Sequence, residues 1–210
     1  MKQLKSSLRD LRELFEKSIT VRNIAEPLAF FDIGCSVDDV KKFMDDKDYD
    51  VIGVRKDGLI AGYASKSKFS GGKLENYLTD FQEEEKFPET TPLIDIFQPF
   101  LRLDRIFVLF LGEVGGIVTR GDFQKIPVRM WFFALVSLIE MHLLRIIREY
   151  YPEEKWIDLI KPKRPKRFEK VKEKYDALSK ENAAIDLADC LDFCDKREII
   201  IQNKEIGVSA

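Results

Sequence analysis

The sequence predicts a mixed α+β fold, in which two copies of one small unit are followed by an all-α domain. First, the phrase "GIVTRGD" at residues 116–122 has an imperfect copy, "GYASKSK", at residues 62–68. Second, each phrase ends two short apolar runs joined by a turn, which is typical of a β-hairpin. Third, the apolar residues after position 126 recur at helical spacing.

Composition narrows the class of protein. With 210 residues, of which 45% are hydrophobic, the chain can bury a core as one large domain or two small ones. Its three cysteines, Cys35, Cys190 and Cys194, form no CxxC pair, and one histidine is too few for a zinc site within the chain. We therefore expect reduced cysteines, no metal and a cytoplasmic location. A net charge of −2 provides no global field to attract nucleic acid or a membrane.

The leading segment, residues 1–18, predicts an amphipathic helix rather than a signal peptide. It lacks the continuous apolar core that a signal peptide requires. Its large apolar residues recur instead at helical spacing: Leu4, Leu8, Leu11 and Phe15.

The first copy of the unit occupies residues 19–80. Ser36 is placed to cap a helix that carries Val40, Phe43 and Met44 at helical spacing. A hairpin follows in "YDVIGVRKDGLIAGYAS", with Asp-Gly as its turn. The acidic and polar stretch between the copies, "SGGKLENYLTDFQEEEKFPETT", predicts a helix followed by a loop.

The second copy occupies residues 81–126 and repeats this plan. We expect its helix in "TPLIDIFQPFLRL" and its hairpin in "RIFVLFLGEVGGIVT", with Gly112 and the pair Gly115 and Gly116 near the turn. This hairpin is almost wholly apolar, which indicates burial on both faces.

Residues 127–210 predict the helical domain. Pro127 suits the first position of a helix. One broad apolar face of that helix comprises Val128, Trp131, Phe132, Leu135, Leu138, Ile139, His142 and Ile146. Because Glu140 and Arg145 interrupt its apolar run, we expect it not to span a membrane. Two further helices are expected through Phe168, Val171, Tyr175 and Leu178, and through Ile185, Ala188, Leu191 and Cys194.

The phrase of the second copy, "GIVTRGD" at residues 116–122, is called the intact phrase because it keeps its aspartate. It carries groups that suit a nucleotide. Gly116 allows close approach of a ligand, Thr119 offers a hydroxyl, and the amides and dipole of the next helix favour an anion. The carboxylate of Asp122 suits the paired hydroxyls of a ribose, and Arg120 suits a phosphate. The alternative is structural: the glycines serve the turn, Thr119 caps the helix and Asp122 complements its dipole.

The repeat and its phrase together resemble the tandem CBS module (the cystathionine β-synthase repeat), over roughly residues 19–126. The signature of that family is Gly-hydrophobic-x-Thr/Ser-x-x-Asp/Asn. The resemblance implies that the two repeats pack through their sheets, form dimers, and bind AMP, ADP, ATP or related ligands in clefts. It implies that Thr119 contacts phosphate or ribose and that Asp122 contacts the ribose hydroxyls. It also implies that the base is flanked by apolar groups: Leu93, Ile94, Phe107 and Val108.

The first copy departs from the signature. Ser65 keeps the hydroxyl, but Lys68 replaces the acidic residue and cannot accept hydrogen bonds from a ribose. Lys66 and Lys68 are suited to the phosphate of another ligand. Alternatively, this site has decayed and the lysines are only solvated.

The helical region offers weaker signals. His142 lacks a nucleophile and an orienting group, so a buried or interfacial role is favoured over catalysis. The region loosely resembles HEPN-type helical domains, but "FFALVSLIEM" before His142 lacks the arginine of the ribonuclease members. The run "KPKRPKRFEKVKEK", residues 161–174, is either a phosphate-binding stripe or a solvated surface. Asp186, Asp189 and Asp192 are spaced by three, which suits pairing with neighbouring cations.

These observations predict a non-enzymatic regulatory protein that binds an adenosine nucleotide and signals through its helical domain. A homodimer or an effector protein is the expected partner of the spare apolar helix faces. The alternative is a nucleic-acid-associated or antiviral-type helical protein in which the CBS pair is only a scaffold.

Overall fold

The computed structural model describes residues 13, 17–181 and 184–202. The chain forms two compact units, with the boundary between Phe132 and Phe133. The described strands all belong to the first unit, and the second is helical. The predicted α+β class with a helical C-terminal region is confirmed. The apolar residues of the predicted leading helix lie outside the described residues: Leu4, Leu8, Leu11 and Phe15.

The strands form two four-stranded sheets. They are β1 (Glu26–Pro27), β2 (Phe30–Asp32), β3 (Val51–Lys56), β4 (Leu59–Ser65), β5 (Thr79–Asp80), β6 (Lys86–Pro88), β7 (Arg105–Phe110) and β8 (Glu113–Thr119). One sheet has the order β2-β3-β4-β5, and the other has the order β1-β8-β7-β6. In each, a central antiparallel hairpin is flanked by a parallel strand on one side and a two-residue antiparallel strand on the other.

The two hairpins repeat each other in detail. Both have a register shift at the same place, after Val54 in β3 and after Val108 in β7. Both turn through two residues with positive φ, Asp57-Gly58 in the first and Leu111-Gly112 in the second. This turn suits the right-handed twist of the strands, and Leu111 adopts it although it is not glycine, aspartate or asparagine. The predicted repeat is therefore present in the backbone.

In the structure β5 (Thr79–Asp80) corresponds to β1, which places the start of the second repeat two residues before the predicted one. With this boundary the two repeats exchange their edge strands. β1 precedes the first hairpin in the chain but pairs with β8 of the second, and β5 precedes the second hairpin but pairs with β4 of the first. A glycine faces the incoming strand in each case, Gly116 opposite Pro27 and Gly62 opposite Asp80. Each sheet is therefore completed by a strand that leads into the other repeat.

Steric contact explains these two glycines. A Cβ atom on Gly62 would clash with the carbonyl oxygen of Thr79. One on Gly116 would lie 2.8 Å from Phe110 and 3.2 Å from the carbonyl oxygen of Glu26. Gly116, which the sequence was expected to use for the close approach of a ligand, instead has the Phe110 ring and the backbone of β1 against it.

The predicted helix of the first repeat is present, although the Ser36 side chain makes no capping hydrogen bond. The predicted helix of the second repeat is not present. Helix α1 (Val37–Lys47) follows Ser36 and buries Val40 and Met44. The expected second helix consists instead of two 3₁₀ turns, Leu93–Ile96 and Pro99–Leu101, because proline cannot donate the hydrogen bond that a helix interior requires.

The polar stretch after the first hairpin also differs from the prediction. It forms a 3₁₀ turn, Leu74–Tyr77, and then β5.

The two sheets pack against each other through an aromatic cluster. Phe107 is fully buried and lies 4.9 Å from Tyr63 and 4.5 Å from Phe81, measured between ring centroids. Leu28, Val51 and Val114 belong to the same core. The burial predicted for the second hairpin is confirmed at the centre of β7, where Ile106, Phe107 and Val108 are all inaccessible.

The helices after residue 125 are α2 (Ile126–Tyr150), α3 (Ile157–Ile160), α4 (Pro165–Leu178) and α5 (Phe193–Ile201). In the second unit, Trp156, Phe168, Leu191 and Ile199 are among the buried residues of one core. The predicted last helix is interrupted: a 3₁₀ turn, Leu187–Cys190, precedes α5. The side chain of Asp186 caps that turn by accepting a hydrogen bond from the backbone N–H of Asp189. The turn therefore begins at its own cap and is separate from α5.

Helix α2 differs from the other helices in its exposure. It is long and apolar enough to cross a membrane, with a mean hydropathy of 1.7, and 17% of its apolar window is buried. Val128, Trp131 and Ile147 are buried. The predicted face is only partly right, since Phe132, Ile139 and His142 are exposed. Of the two roles expected for His142, burial is wrong, and an interfacial role stays a prediction.

Ion pairs hold the second unit together around its aspartates. Arg148 donates to Asp186 Oδ2 at 2.7 Å and to Asp189 Oδ1 at 2.8 Å, so the predicted pairing with a cation is confirmed. Burial raises the pKa of Asp186, but hydrogen bonds from Arg148 and the Asp189 amide outweigh it and leave that pKa lowered. Glu140 on α2 accepts from the buried Lys196 on α5 at 2.7 Å.

We expect the two strand-facing glycines to be intolerant of a methyl group. Gly62→Ala should lower the free energy of unfolding by about 2 kcal/mol or more, since the clash is with backbone, and Gly116→Ala by somewhat less. Gly34→Ala is the control, because no atom lies within 4 Å of its Cβ position. Urea denaturation measures all three. Equal stability of the Gly62 and Gly34 variants would contradict the strand-exchange explanation.

Removal of the Arg148 side chain should change how stability depends on pH. The lowered pKa of Asp186 means that the pair stabilises the fold above about pH 4 and that this stabilisation is lost as the pH falls through the lowered value. Since the pair is half exposed, Arg148→Gln should cost about 1 kcal/mol or less at pH 6 and a smaller amount at pH 3. Urea midpoints at the two pH values test this, and a constant difference would contradict it.

Candidate functional site

A cavity of about 450 Å³ lies in the first unit at the end of β8. Its wall comprises residues 26–29, 48–51, 104–105, 117 and 119–122. β3 and β7 both begin at this cavity, with Val51 and Arg105, and β8 ends there with Thr119. Both repeats therefore contribute to one site, because the exchange of β1 brings the first repeat against β8.

The intact phrase forms the inner wall through its own hydrogen bonds. Asp122 Oδ2 accepts from the backbone N–H of Thr119 at 2.6 Å and from its hydroxyl at 3.0 Å. Asp122 is 7% exposed. These bonds cap a 3₁₀ turn, Arg120–Gln124, so the structural role that the sequence left open for Thr119 and Asp122 is present. A five-residue 3₁₀ turn replaces the predicted helix and provides no extended helix dipole for an anion.

Lys125 connects this turn to the first repeat and to helix α2. Its ammonium group forms an ion pair with Asp122 Oδ1 at 2.8 Å, donates to Glu26 and donates to the carbonyl oxygen of Ile24 at 2.6 Å. Partial burial lowers the pKa of Lys125, but its bonds to Asp122 and Glu26 outweigh this and leave the pKa raised. The carbonyl oxygen of Lys125 accepts from the N–H groups of Val128 and Arg129 at the start of α2.

The cavity wall is more acidic than basic. It contains five carboxylates, those of Glu26, Asp48, Asp50, Asp104 and Asp122, and two guanidinium groups, those of Arg105 and Arg120.

Both guanidinium groups already have partners. Arg120 donates to the carbonyl oxygen of Phe100 at 3.2 Å and lies 3.3 Å from Asp104. Arg105 stacks over the ring of Tyr63 at 5.5 Å. A phosphate group would therefore compete with Asp104 for Arg120, whereas the charge of Arg105 is not neutralised by its aromatic partner.

An apolar surface faces these charges. Tyr49 lines the cavity and is 40% exposed, and Leu28, Pro27 and Ile117 lie in the same wall. An aromatic ring beside aliphatic groups provides a surface on which a flat base can stack.

Several predicted site residues lie elsewhere. Leu93, Phe107 and Val108 are fully buried, and none of them, nor Ile94 or Gly116, belongs to the described cavity wall. The reason is their distance along the strand: Phe107 and Val108 occupy the centre of β7, where side chains pack between the sheets or against helices. Of the predicted residues of this phrase, the cavity brings together Thr119, Arg120 and Asp122.

The phrase of the first copy is arranged differently. Ser65 precedes a 3₁₀ turn, Lys66–Lys68, but its side chain makes no capping bond. Lys66 forms an ion pair with Asp45 on α1 at 3.2 Å, and Lys68 is exposed. With lysine where the second copy has aspartate, nothing at this position accepts a bond from the serine hydroxyl.

Sequence reasoning missed most of the wall. Arg105 could have been found by counting back across the hairpin, because it pairs with Thr119. Glu26 could not, since its position depends on a two-residue strand with no periodicity. Asp48 ends α1 in the left-handed conformation and gives no signal in the sequence either.

No protein-family model and no curated protein matches the sequence. Among solved structures, CBSX2 in complex with AMP is 22% identical, with a TM-score of 0.44, over 55% of this chain and 97% of that one. A hemolysin-like protein containing a CBS domain from Oenococcus oeni is 16% identical, with a TM-score of 0.42, over 56% of this chain and 95% of that one.

The CBS domain of a bacterial CNNM/CorC family Mg²⁺ transporter in complex with ATP is 14% identical, with a TM-score of 0.45, over 58% of this chain and 94% of that one. These solved structures, which resemble about half of the chain, are CBS-domain proteins.

We expect Asp122 to stabilise the fold whether or not a ligand is bound. Asp122→Ala should lower the free energy of unfolding by about 1–3 kcal/mol, because two donors of Thr119 and the ammonium of Lys125 lose their acceptor. Asp50→Ala is the matched control from the same wall; within the described chain its carboxylate has no partner, and we expect a change below about 0.5 kcal/mol. Denaturation midpoints without ligand decide this, and similar values for the two variants would refute the role assigned to Asp122.

Proposed function

We propose that the first unit is a CBS pair that binds an adenosine-containing nucleotide in the 450 Å³ cavity and acts as a regulatory sensor. The observation that carries the proposal is that the intact phrase and the starts of both repeated hairpins surround this one cavity. Its volume lies within the range of small-ligand pockets. The described wall contains no histidine, cysteine or serine, and the proposal includes no catalytic step.

Each part of a nucleotide has a suitable group in the wall. Tyr49 and Ile117 provide surface for the base. A carboxylate has about four acceptor positions, and Asp122 uses three of them within the protein, so one remains for a ribose hydroxyl. Arg105 and Arg120 are the cations for phosphate. Because carboxylates outnumber them, the site favours a phosphate chain of low charge or one paired with a divalent cation.

Lys125 offers a path from this site to the helices. It holds Asp122 and Glu26 at one end, and its carbonyl oxygen accepts the first amides of α2 at the other. A ligand that shifts Asp122 or Glu26 therefore acts on the start of α2. The size of the effect is limited by the difference in ligand affinity between the two arrangements.

The exposed apolar residues of α2 support an interaction role for the helical region. Phe133, Val136, Ile139 and Met141 are between 47% and 75% exposed, which is costly for a surface that has no partner. We propose that a second copy of the chain or an effector protein covers this face, and that the protein acts in the cytoplasm.

Ligand binding tests the proposal directly. AMP, ADP and ATP, with and without Mg²⁺, should raise the unfolding temperature, because each binds only the folded state. Gly121→Phe should lower affinity by about tenfold or more by filling the cavity, because the Cβ position of Gly121 meets only Thr119 Oγ1, at 3.6 Å. Gly34→Phe, in open space away from the cavity, should bind as the wild type does.

Calorimetry gives the affinities, and hydrogen exchange at Val128 and Arg129 should slow when ligand binds. If none of the nucleotides binds, or if the Gly121 variant binds them unchanged, the site assignment is wrong. If binding occurs without any change in exchange at α2, the path through Lys125 is wrong.

A further inference from the structure

A second cavity, of about 430 Å³, lies within the helical unit. One side of it is helix α4, which contributes Lys166, Arg167, Lys170 and Lys174, and the other side contains Asp192 and Asp195. The basic run that the sequence singled out is thus partly gathered into a concave site. The proposed nucleotide sensor makes no use of this cavity.

Arg167 is held in a fixed position at this cavity. Its Nε atom forms an ion pair with Asp195 Oδ1 at 2.8 Å, and Asp195 is only 2% exposed. The other oxygen of Asp195 is buried and has no hydrogen-bond partner among the described residues. Arg167 is therefore the cation that compensates this carboxylate, and breaking the pair would leave a buried charge alone.

The remaining nitrogen atoms of Arg167 are suited to an anion. Within the described chain, its terminal guanidinium nitrogens have no partner, since its ion pair uses Nε. A guanidinium group fixed in this way presents a planar pair of donors that matches two oxygens of a phosphate.

Two of the three lysines add positive charge that no ion pair of the described chain uses. Lys166 and Lys170 have no ion pair in the part of the chain that the structure describes, and Lys174 lies 3.9 Å from Asp192. These three lysines are four residues apart along α4, so they are neighbours on one helix surface and repel each other. The repulsion between these lysines opposes folding, and the lysines lie around Arg167, which Asp195 holds in place. A ligand of negative charge would relieve this repulsion.

We propose that this cavity binds the phosphate group of an organic phosphate. The terminal guanidinium of Arg167 and the ammonium groups of Lys166 and Lys170 hold the phosphate oxygens, and Asp195 is a positioning residue that orients Arg167. A small phosphorylated metabolite and a single-stranded RNA both carry phosphate groups that these cations would bind. The concave shape and the volume favour the small ligand.

Titration with inorganic pyrophosphate at low salt, followed by calorimetry, tests this proposal. The wild type should bind one pyrophosphate, and Lys170→Gln should weaken binding by about tenfold. Without ligand, the unfolding temperature of this variant should stay the same or rise, because a like-charge repulsion is removed. Lys172→Gln is the matched control: it removes the same charge from α4, but Lys172 is not part of the described cavity wall.

Two further arms identify the site and the source of the phosphate. Gly121→Phe should bind pyrophosphate as the wild type does, because that substitution blocks only the first cavity. A short single-stranded uridine RNA that binds more tightly, with a salt dependence of about −0.7 per phosphate contacted, would assign the phosphate to a strand. Binding of pyrophosphate alone would assign it to a small molecule.

Three results would overturn the proposal. They are the absence of saturable binding of both probes, equal losses in the Lys170 and Lys172 variants, and loss of pyrophosphate binding in the Gly121 variant. Loss of pyrophosphate binding in the Gly121 variant would show that pyrophosphate occupies the first cavity. Absence of binding of both probes would leave the proposed nucleotide site unaffected.

Discussion

The carboxylate of Asp122 is the interaction on which the organisation of the first unit depends. It joins the end of β8 to the turn that follows, through Thr119, and it reaches the first repeat through Lys125 and Glu26. One buried charge therefore fixes the cavity wall, the approach of β1 and the start of α2. The side chain proposed to contact the ligand also has a structural role, which explains why the functional and structural interpretations of the phrase could not be separated in the sequence.

The difference between the two copies of the phrase follows from the same chemistry. In the second copy an acceptor at Asp122 satisfies the donors of Thr119. In the first copy Lys68 has only donors, so Ser65 has no comparable partner and Lys66 is drawn to Asp45 on α1 instead. The scaffold is symmetrical in its strands and asymmetrical in its charges, and the second copy alone has a carboxylate within its phrase.

Much of this architecture could be predicted because it is local. The hairpins are visible as strand-length apolar runs, the first with an Asp-Gly turn and the second with Gly112 at its turn, and the two phrases are visible by comparison with each other. The exchanged strands β1 and β5 could not be predicted, because two residues have no periodicity and their pairing is decided by distant glycines. Pro99 was visible as a helix breaker, yet the repeat suggested a helix there. The exposed apolar residues of α2 could not be predicted either, because spacing along one chain does not show which apolar side chains the fold covers.

The exchange of edge strands has a consequence for how the chain folds during synthesis. β5 leaves the ribosome shortly after β4 and can complete its sheet early, because the pairing is nearly local. β1 is synthesised before all the other described strands, but its partner β8 is synthesised last. Its backbone N–H and C=O groups therefore have no strand partner until almost the whole unit has been synthesised. Contacts of such long sequence separation form slowly, since loop-closure entropy must be overcome first. The cavity of the first unit, whose wall includes β1, is therefore among the last parts of the unit to form.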